Sequence, residues 1–369
     1  MKELGIYVHI PFCIRKCKYC DFASFVCDEE IQNIYTDKLI DEIKSFKNKA
    51  ENYVVNSIFF GGGTPSVLSS QNLDKIMSII KATFYIDKNA EISIECNPKT
   101  ANFAKMQNFI KMGFNRISFG VQSLDDQLLE TIGRVHNAKD FLESFTSARL
   151  AGFKNINCDI MFALPDQSIE SFKETCENIV KLKPEHISCY SLILEENTPL
   201  YNEQESYKFA NDEENREMYE TAKSIFNENG YEQYEISNFA KKGYECIHNL
   251  KYWEMKEYIG FGSASSSFID NERHTNPCIL NDYLENKEPD IEVEDQKALM
   301  GEFMFLGLRK IKGINNKDFK NLFNQSFLDI FKEEIEKHIN NGLLIKEEEN
   351  IRLTDKGLDL ANVVMSDFV

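Results

Sequence analysis

The sequence predicts an α/β fold: a partial (β/α)6, TIM-like barrel followed by a small C-terminal winged-helix-like α+β domain. Three observations carry that reading. Short strand-like runs alternate six times with longer amphipathic stretches before residue 235, the pattern of parallel strands joined by right-handed helical crossovers. Glycine- and proline-containing punctuation falls just after strands or at helix ends. Past residue 240 the alternation gives way to helical patterns and one hairpin. Six units are two short of a closed barrel, so this one is expected to stay open.

The first strand is expected at 5–10, where an apolar run meets Pro11, with its helix at 30–46. The second, 54–60, is closed by Gly61-Gly62-Gly63 and followed by a helix at 70–84. Strand 91–95 meets Asn97-Pro98 before a helix at 101–112, which Gly113 ends. Strand 115–119 precedes helical stretches at 125–132 and 138–151. The last two units pair 155–160 with 169–182 and 186–191 with 212–229. The division expected is a barrel over 1–235, a connecting region over 236–295 and a winged-helix-like domain over 296–369. The connecting region holds a small-residue run at 260–265 and an acidic, proline-containing stretch at 285–295 that reads as a linker. The last domain shows helical patterns at 298–308, 316–322 and 328–340. A hairpin around Glu347-Glu348-Glu349 and a final helix from Asp355 follow. In βα barrels the loops after the strands share one face, so the unusual polar and glycine-rich segments should converge there.

A net charge of −18 argues against general affinity for nucleic acid or anionic membranes. Apolar residues at 42% and charged residues at 28% suit a soluble globular chain. No run approaches the roughly 20 apolar residues that span a bilayer, and the first strand is too short for a secretory signal. A cytoplasmic chain without an integral membrane segment is therefore expected. Acidic residues slightly outnumber basic ones in 296–369 and no basic stripe is present, so this domain is expected to cover the barrel mouth or meet a partner.

Of ten cysteines, seven are scattered and three crowd together as Cys13-Ile-Arg-Lys-Cys17-Lys-Tyr-Cys20. That distribution suits a metal site in a reducing compartment rather than a disulfide framework. A [4Fe–4S] cluster commonly takes four thiolates, so three leave one iron open to an outside ligand. Zinc is the competing reading, but its usual patterns pair two CxxC units or add nearby histidines. Cys27 is a distant candidate for a fourth ligand, which would close the site.

The C-x3-C-x2-C spacing after a first strand resembles the signature of the radical-SAM superfamily. The surrounding Tyr7-Val-His-Ile-Pro-Phe-Cys13 is similar to one branch, the oxygen-independent coproporphyrinogen III oxidases and the related HemW heme chaperones. The resemblance implies a [4Fe–4S] cluster on Cys13, Cys17 and Cys20, with S-adenosylmethionine (SAM) on the open iron. It also implies an electron donor and SAM cleavage to a 5′-deoxyadenosyl radical. Read from the residues, the glycine run could bring backbone N–H groups close to the methionine end of SAM, although such runs are more often tight turns. Glu95, at a strand end, could accept from ribose hydroxyls, although alone it reads as a solvated carboxylate. Gly61-Gly-Gly-Thr-Pro65, Glu95-Cys-Asn-Pro98, Ser118-Phe-Gly-Val-Gln122, Gly133-Arg134 and Asp159-Ile-Met-Phe-Ala-Leu-Pro165 resemble the SAM-contacting segments of this branch. By that similarity Tyr7, Tyr19, Gly62, Gly63, Thr64, Glu95, Gln122, Arg134 and Asp159 are the expected SAM contacts. His9 reads as structural, and His136 is open between a structural and a functional role.

Three departures favour the chaperone side of the branch. The oxidases resembled carry another cysteine two residues past the third ligand, where this chain has Phe22, and an extended N-terminal segment, whereas the first strand here begins almost at Met1. His248-Asn-Leu-Lys-Tyr252-Trp253 is similar to the HNxxYW motif associated with HemW. An imidazole beside aromatic rings suits heme, with His248 as iron ligand; a packing anchor with a hydrogen-bonded histidine is the alternative. The resemblance thus implies heme as cargo, an acceptor protein and His248 as the heme residue. Oxidative decarboxylation of coproporphyrinogen propionates is the enzymatic alternative.

Overall fold

A computed structural model describes residues 1–369. Six parallel strands form the centre: β1 (Lys2–Ile10), β2 (Tyr53–Gly62), β3 (Tyr85–Cys96), β4 (Arg116–Gln122), β5 (Asn155–Phe162) and β6 (His186–Ser191). Helices Glu29–Ser45, Ser70–Thr83, Phe103–Met112, Ala138–Ala151, Ile169–Lys181 and Asp212–Glu228 follow them in turn. Side-chain caps from Asp28, Ser69, Asn102, Asn137, Ser168 and Asn211 start these helices, and left-handed Gly113 and Gly152 stop two of them.

Period-two alternation in the strands separates two environments. Leu4, Ile6, Val8 and Ile10 of β1 are fully buried in a cluster of 55 apolar residues, and Ile58, Phe60, Ile94, Ile117, Phe119, Ile156 and Ile187 belong to the same core. The intervening residues are largely polar and lie in register across the strands: Tyr7 beside Phe59, Glu95 beside Ser118, Ser118 beside Asn157, and Asp159 beside Ser188. One set of residues holds the fold together while the other lines its interior.

Residues 236–295 extend this sheet rather than building one of their own. After β7 (Glu232–Glu235), β8 (Asn238–Ala240) pairs antiparallel with β6 at one edge. At the other edge β9 (Tyr258–Phe261) runs parallel to β1, followed outward by β10 (Ser266–Ile269), β11 (Glu272–Thr275) and β12 (Asp290–Val293). The twelve strands do not close, so the barrel is open. The stretch expected as a linker contains β12, because four residues pair with β11 despite their acidity. The loop after β9 is held tightly: Gly262 has φ +102°, and a Cβ there would overlap the Tyr35 hydroxyl and lie 2.7 Å from the His9 carbonyl. Gly262→Ala should cost about 3 kcal/mol in a denaturation experiment. Gly152→Ala, with φ +114° but open space around it, should cost only about 1 kcal/mol.

The C-terminal domain packs its own cluster of 17 buried apolar residues between helices and the sheet of β13 (Ile314–Asn315), β15 (Asn350–Leu353) and β14 (Leu344–Glu347). The helix expected over 328–340 is interrupted at Phe331, which leaves Phe327–Ile330 and Lys332–Asn340. Of the two roles expected for the domain, covering the barrel mouth or meeting a partner, the first is not seen: no residue of 296–369 lines the cavity at the strand ends. The domain joins the β7 end of the sheet through Ile236 N–H to Arg309 O (3.1 Å) and Ile311 N–H to Tyr234 O (3.1 Å). Arg309 also stacks on Trp253, 4.4 Å from the ring centroid.

Candidate functional site

The cysteine loop projects from a fixed base. Phe25 N–H donates to Pro11 O (2.6 Å) and Cys13 N–H to Phe25 O (2.9 Å), while fully buried Phe12 packs edge-on against Tyr35. On its far side Arg15 donates to the Gly133 carbonyl (2.9 Å) and the Arg134 carbonyl (2.6 Å), and Lys18 N–H to Ile132 O (3.0 Å). The loop therefore spans the C-terminal ends of the strands from β1 to the segment after β4.

Beneath it lies a cavity of about 390 Å³. Cys13, Cys17 and Cys20 all line it, as do Tyr19, Gly62, Gly63, Thr64, Glu95, Gln122, Arg134 and Asp159. Tyr7 is not among the lining residues; it sits one layer below, its hydroxyl 3.0 Å from His9 Nδ1. Segments separated by more than a hundred residues thus meet at one end of the barrel because each ends a strand or follows one.

The chemistry of the lining is specific. Gly62 takes φ +111°, which lets its N–H donate to Glu95 Oε2 at 3.2 Å. A Cβ at Gly63 would lie 2.9 Å from the Phe12 carbonyl and 3.1 Å from Cys13 Sγ, so only glycine lets this strand end approach the cysteine loop. Burial, reinforced by the negative charge of Asp159, pushes the Glu95 carboxyl up to about 8. Burial also raises Asp159, opposed by hydrogen bonds from Ser118 (3.0 Å) and Asn157 (2.6 Å). Gln122, with φ +66°, accepts from Tyr190 at 3.2 Å. Asn97 donates to Thr64 Oγ1 at 2.7 Å and accepts from Arg134; Thr64 in turn lies 3.5 Å from Cys13 Sγ. Asn97 and Tyr190 were not singled out from sequence, although Asn97 stands inside the Glu95-Cys-Asn-Pro98 motif.

The cavity wall fits a three-cysteine cluster. Cys13, Cys17 and Cys20 line one space, and neither Cys27 nor any histidine does. Cys96 also lines it, but its buried thiol is engaged by the Asn97 carbonyl and the Thr100 hydroxyl, at 3.6 Å each. No three His, Cys, Asp or Glu side chains converge as ligands of a single ion do. Cubane thiolates need not converge, because each binds its own iron. The glycine backbone beside Cys13 and the carboxyl groups of Glu95 and Asp159 line the same cavity, where a cationic nucleotide can be met by acceptors and close backbone.

His9 and His136 are each tied to a backbone carbonyl. His9 Nε2 pairs with the Ala23 carbonyl (3.1 Å) and His136 Nε2 with the Val121 carbonyl (3.2 Å). His248 is not among the lining residues; its ring stacks on that of Tyr7, with centroids 6.4 Å apart, below the cavity. Its Nδ1 is 3.0 Å from Ser57 Oγ and its Nε2 2.9 Å from Tyr252 Oη, and it stacks on Phe59 with centroids 5.4 Å apart. The residue is 1% exposed, and burial pushes its imidazole down to about 3, so the ring is neutral. Glu91 anchors its helix by accepting from the backbone N–H groups of Ile247 and His248.

An open βα barrel with three cysteines over a polar cavity defines a radical-SAM protein. The Radical SAM superfamily profile matches residues 7–179, and that of the HemN C-terminal domain matches residues 295–360. Proteins named heme chaperone HemW are similar along the whole chain. The one from Lactococcus lactis is 37% identical over all of this chain and 98% of its own length. Those from Bacillus subtilis and Escherichia coli are 36% and 30% identical, covering 98% and 100% of this chain and 98% and 99% of their own lengths. The structure of coproporphyrinogen III oxidase (HemN) from Escherichia coli superimposes with a TM-score of 0.88 over all of this chain and 90% of that one, at 22% identity. At that identity the likeness speaks for the fold alone. The chain belongs to the HemW family of radical-SAM proteins.

Proposed function

We propose that this protein binds heme and hands it to an acceptor protein, carrying a [4Fe–4S] cluster on Cys13, Cys17 and Cys20 with SAM in the cavity below. The observation that carries the reading is full-length agreement at 37% identity with a relative named as a heme chaperone. Phe22 supports it: the position lines the cavity with a phenyl ring, 69% exposed, and offers no thiol. When bound, the cluster supplies an electron from an outside donor to SAM. The chain's own residues hold the nucleotide: Gly62, Gly63 and Thr64 by close backbone and hydroxyl approach, Glu95 and Asp159 as acceptors, and Tyr19, Gln122 and Arg134 as the remaining walls. Tyr7 acts from the layer below by orienting His9. No helix is long and apolar enough to cross a membrane, and with unpaired cysteines throughout the chain a cytoplasmic location follows as part of the proposal.

His248 is the heme residue of this reading, and its burial sets a condition. Neither ring nitrogen is free, so ligation requires the helix Ile247–Trp253 to shift and Tyr252 to release Nε2. Hemin titration of anaerobically purified protein should give a saturable Soret change, weakened about tenfold or more in His248→Ala. Weak and identical binding by both would remove His248 from the heme site. Formation of protoporphyrinogen from coproporphyrinogen in an anaerobic assay would replace the chaperone reading with the oxidase one.

A further inference from the structure

Arg134 is a buried cation whose acceptors include no carboxylate. Its Nη2 donates to Asn97 Oδ1 and to the Gly120 carbonyl (2.6 Å), while Nη1 points at Cys17 Sγ, 3.4 Å away. The residue is 8% exposed, and its Nε is buried without a partner. A guanidinium taken out of water needs a compensating anion. Among its hydrogen-bond partners, the one that can be an anion is the Cys17 sulfur, which is a thiolate whenever it binds iron.

The same side chain belongs to a chain of contacts that reaches a second cysteine. Asn97 holds Arg134 with its carbonyl oxygen and Thr64 with its amide nitrogen, and the Thr64 hydroxyl lies 3.5 Å from Cys13 Sγ. Arg15 grips the Arg134 backbone carbonyl from within the cysteine loop. Gly120 keeps the passage open, since a Cβ there would lie 2.7 Å from Asn97 Oδ1 and 3.1 Å from Arg134 Nη2. The guanidinium is thus fixed by neutral carbonyls on one side and turned toward sulfur on the other.

We propose that Arg134 is a positioning residue for the cluster as well as a wall of the nucleotide site: its N–H···S contact to Cys17 and its buried charge raise the cluster's reduction potential, with Asn97 as the bracket. Reduction adds one negative charge to the cluster, and a nearby cation or N–H donor to a ligating sulfur stabilises that state. The inference rests on the cluster assignment of the proposed function. It differs from a nucleotide contact because it holds in protein that contains no SAM.

The test is an EPR-monitored potentiometric titration of anaerobically reconstituted protein, with and without SAM, after iron and sulfide analysis. Without SAM, Arg134→Gln should shift the midpoint to more negative potential, and Arg134→Lys, which keeps the charge but not the fork, should shift it less in the same direction. If Arg134→Gln fails to retain a cluster, the sign of the Arg134→Lys shift decides. SAM-free midpoints equal to wild type, with only SAM binding weakened, would overturn the proposal and leave Arg134 as a nucleotide contact. Wild-type protein that takes up no cluster would overturn the cluster assignment itself, an outcome the metal analysis reports separately.

Discussion

Cys17→Ser protein, reconstituted anaerobically beside wild type, should retain its fold and lose its cluster. Iron in wild type is expected at about four atoms per chain and in the variant near zero. The effect is large because a serine hydroxyl is not deprotonated at neutral pH, and only two thiols, Cys13 and Cys20, would remain in the cysteine loop. The fold should survive because Cys17 sits in a loop whose base is fastened independently by the Pro11–Phe25 contacts and by buried Phe12. Circular dichroism should match wild type. SAM binding should fall with the iron, since the open coordination position disappears with the cluster.

The second large effect is expected at Glu95, and its sign depends on the ligand. In the nucleotide-free protein the carboxyl is pushed up to about 8, by burial first and the charge of Asp159 second. A carboxyl whose folded-state pKa lies above its ordinary value binds more protons folded than unfolded. Its contribution is therefore fully present below the ordinary carboxylate range and lost as pH rises through about 8. Apo-protein stability should decline between about pH 5 and 8, and Glu95→Gln should flatten that decline. At pH 7.5 the variant should be more stable by on the order of 1–2 kcal/mol, a gain of roughly 1–3 °C in Tm for a chain of this length, after allowing for water in the cavity. With SAM the order should reverse, because an acceptor for the ribose hydroxyls has been weakened. Affinity should fall about tenfold or more, as for loss of a charge-assisted hydrogen bond. Calorimetry with SAM and a thermal melt without it would read the two signs separately. A variant less stable than wild type in both conditions would contradict the account.

The barrel was legible because its strands announce themselves twice. Leu4, Ile6, Val8 and Ile10 repeat with period two against the core, while Tyr7, Ser57, Glu95, Ser118 and Asp159 interrupt the apolar runs at the alternate positions. The cavity was legible for the same reason, since its motifs stand at strand ends, where parallel topology gathers them. Strands β9 to β12 were not legible as part of the sheet. Each has four residues, too few to show a period, and β12 reads by composition as an acidic linker because its only support is pairing with β11.

The position of the C-terminal domain depends on contacts between residues far apart in sequence. Arg309 over Trp253 and the backbone pairing of Arg309 and Ile311 with β7 leave no local mark. The same holds for His248. Its motif is visible in sequence, but the burial that governs its reactivity comes from Ser57 and Phe59 on a strand nearly two hundred residues away. Asn97 and Tyr190 are neutral and carry no chemistry alone. They gain a role only where they hold Arg134 and Gln122.

One measurement bears on the centre of the account: Mössbauer spectroscopy of protein reconstituted anaerobically with ⁵⁷Fe, recorded before and after adding SAM. A cubane held by Cys13, Cys17 and Cys20 should show one iron in about four changing its isomer shift when the nucleotide binds, while the others stay as they were. A spectrum indifferent to SAM, or purified protein whose metal is zinc, would contradict it.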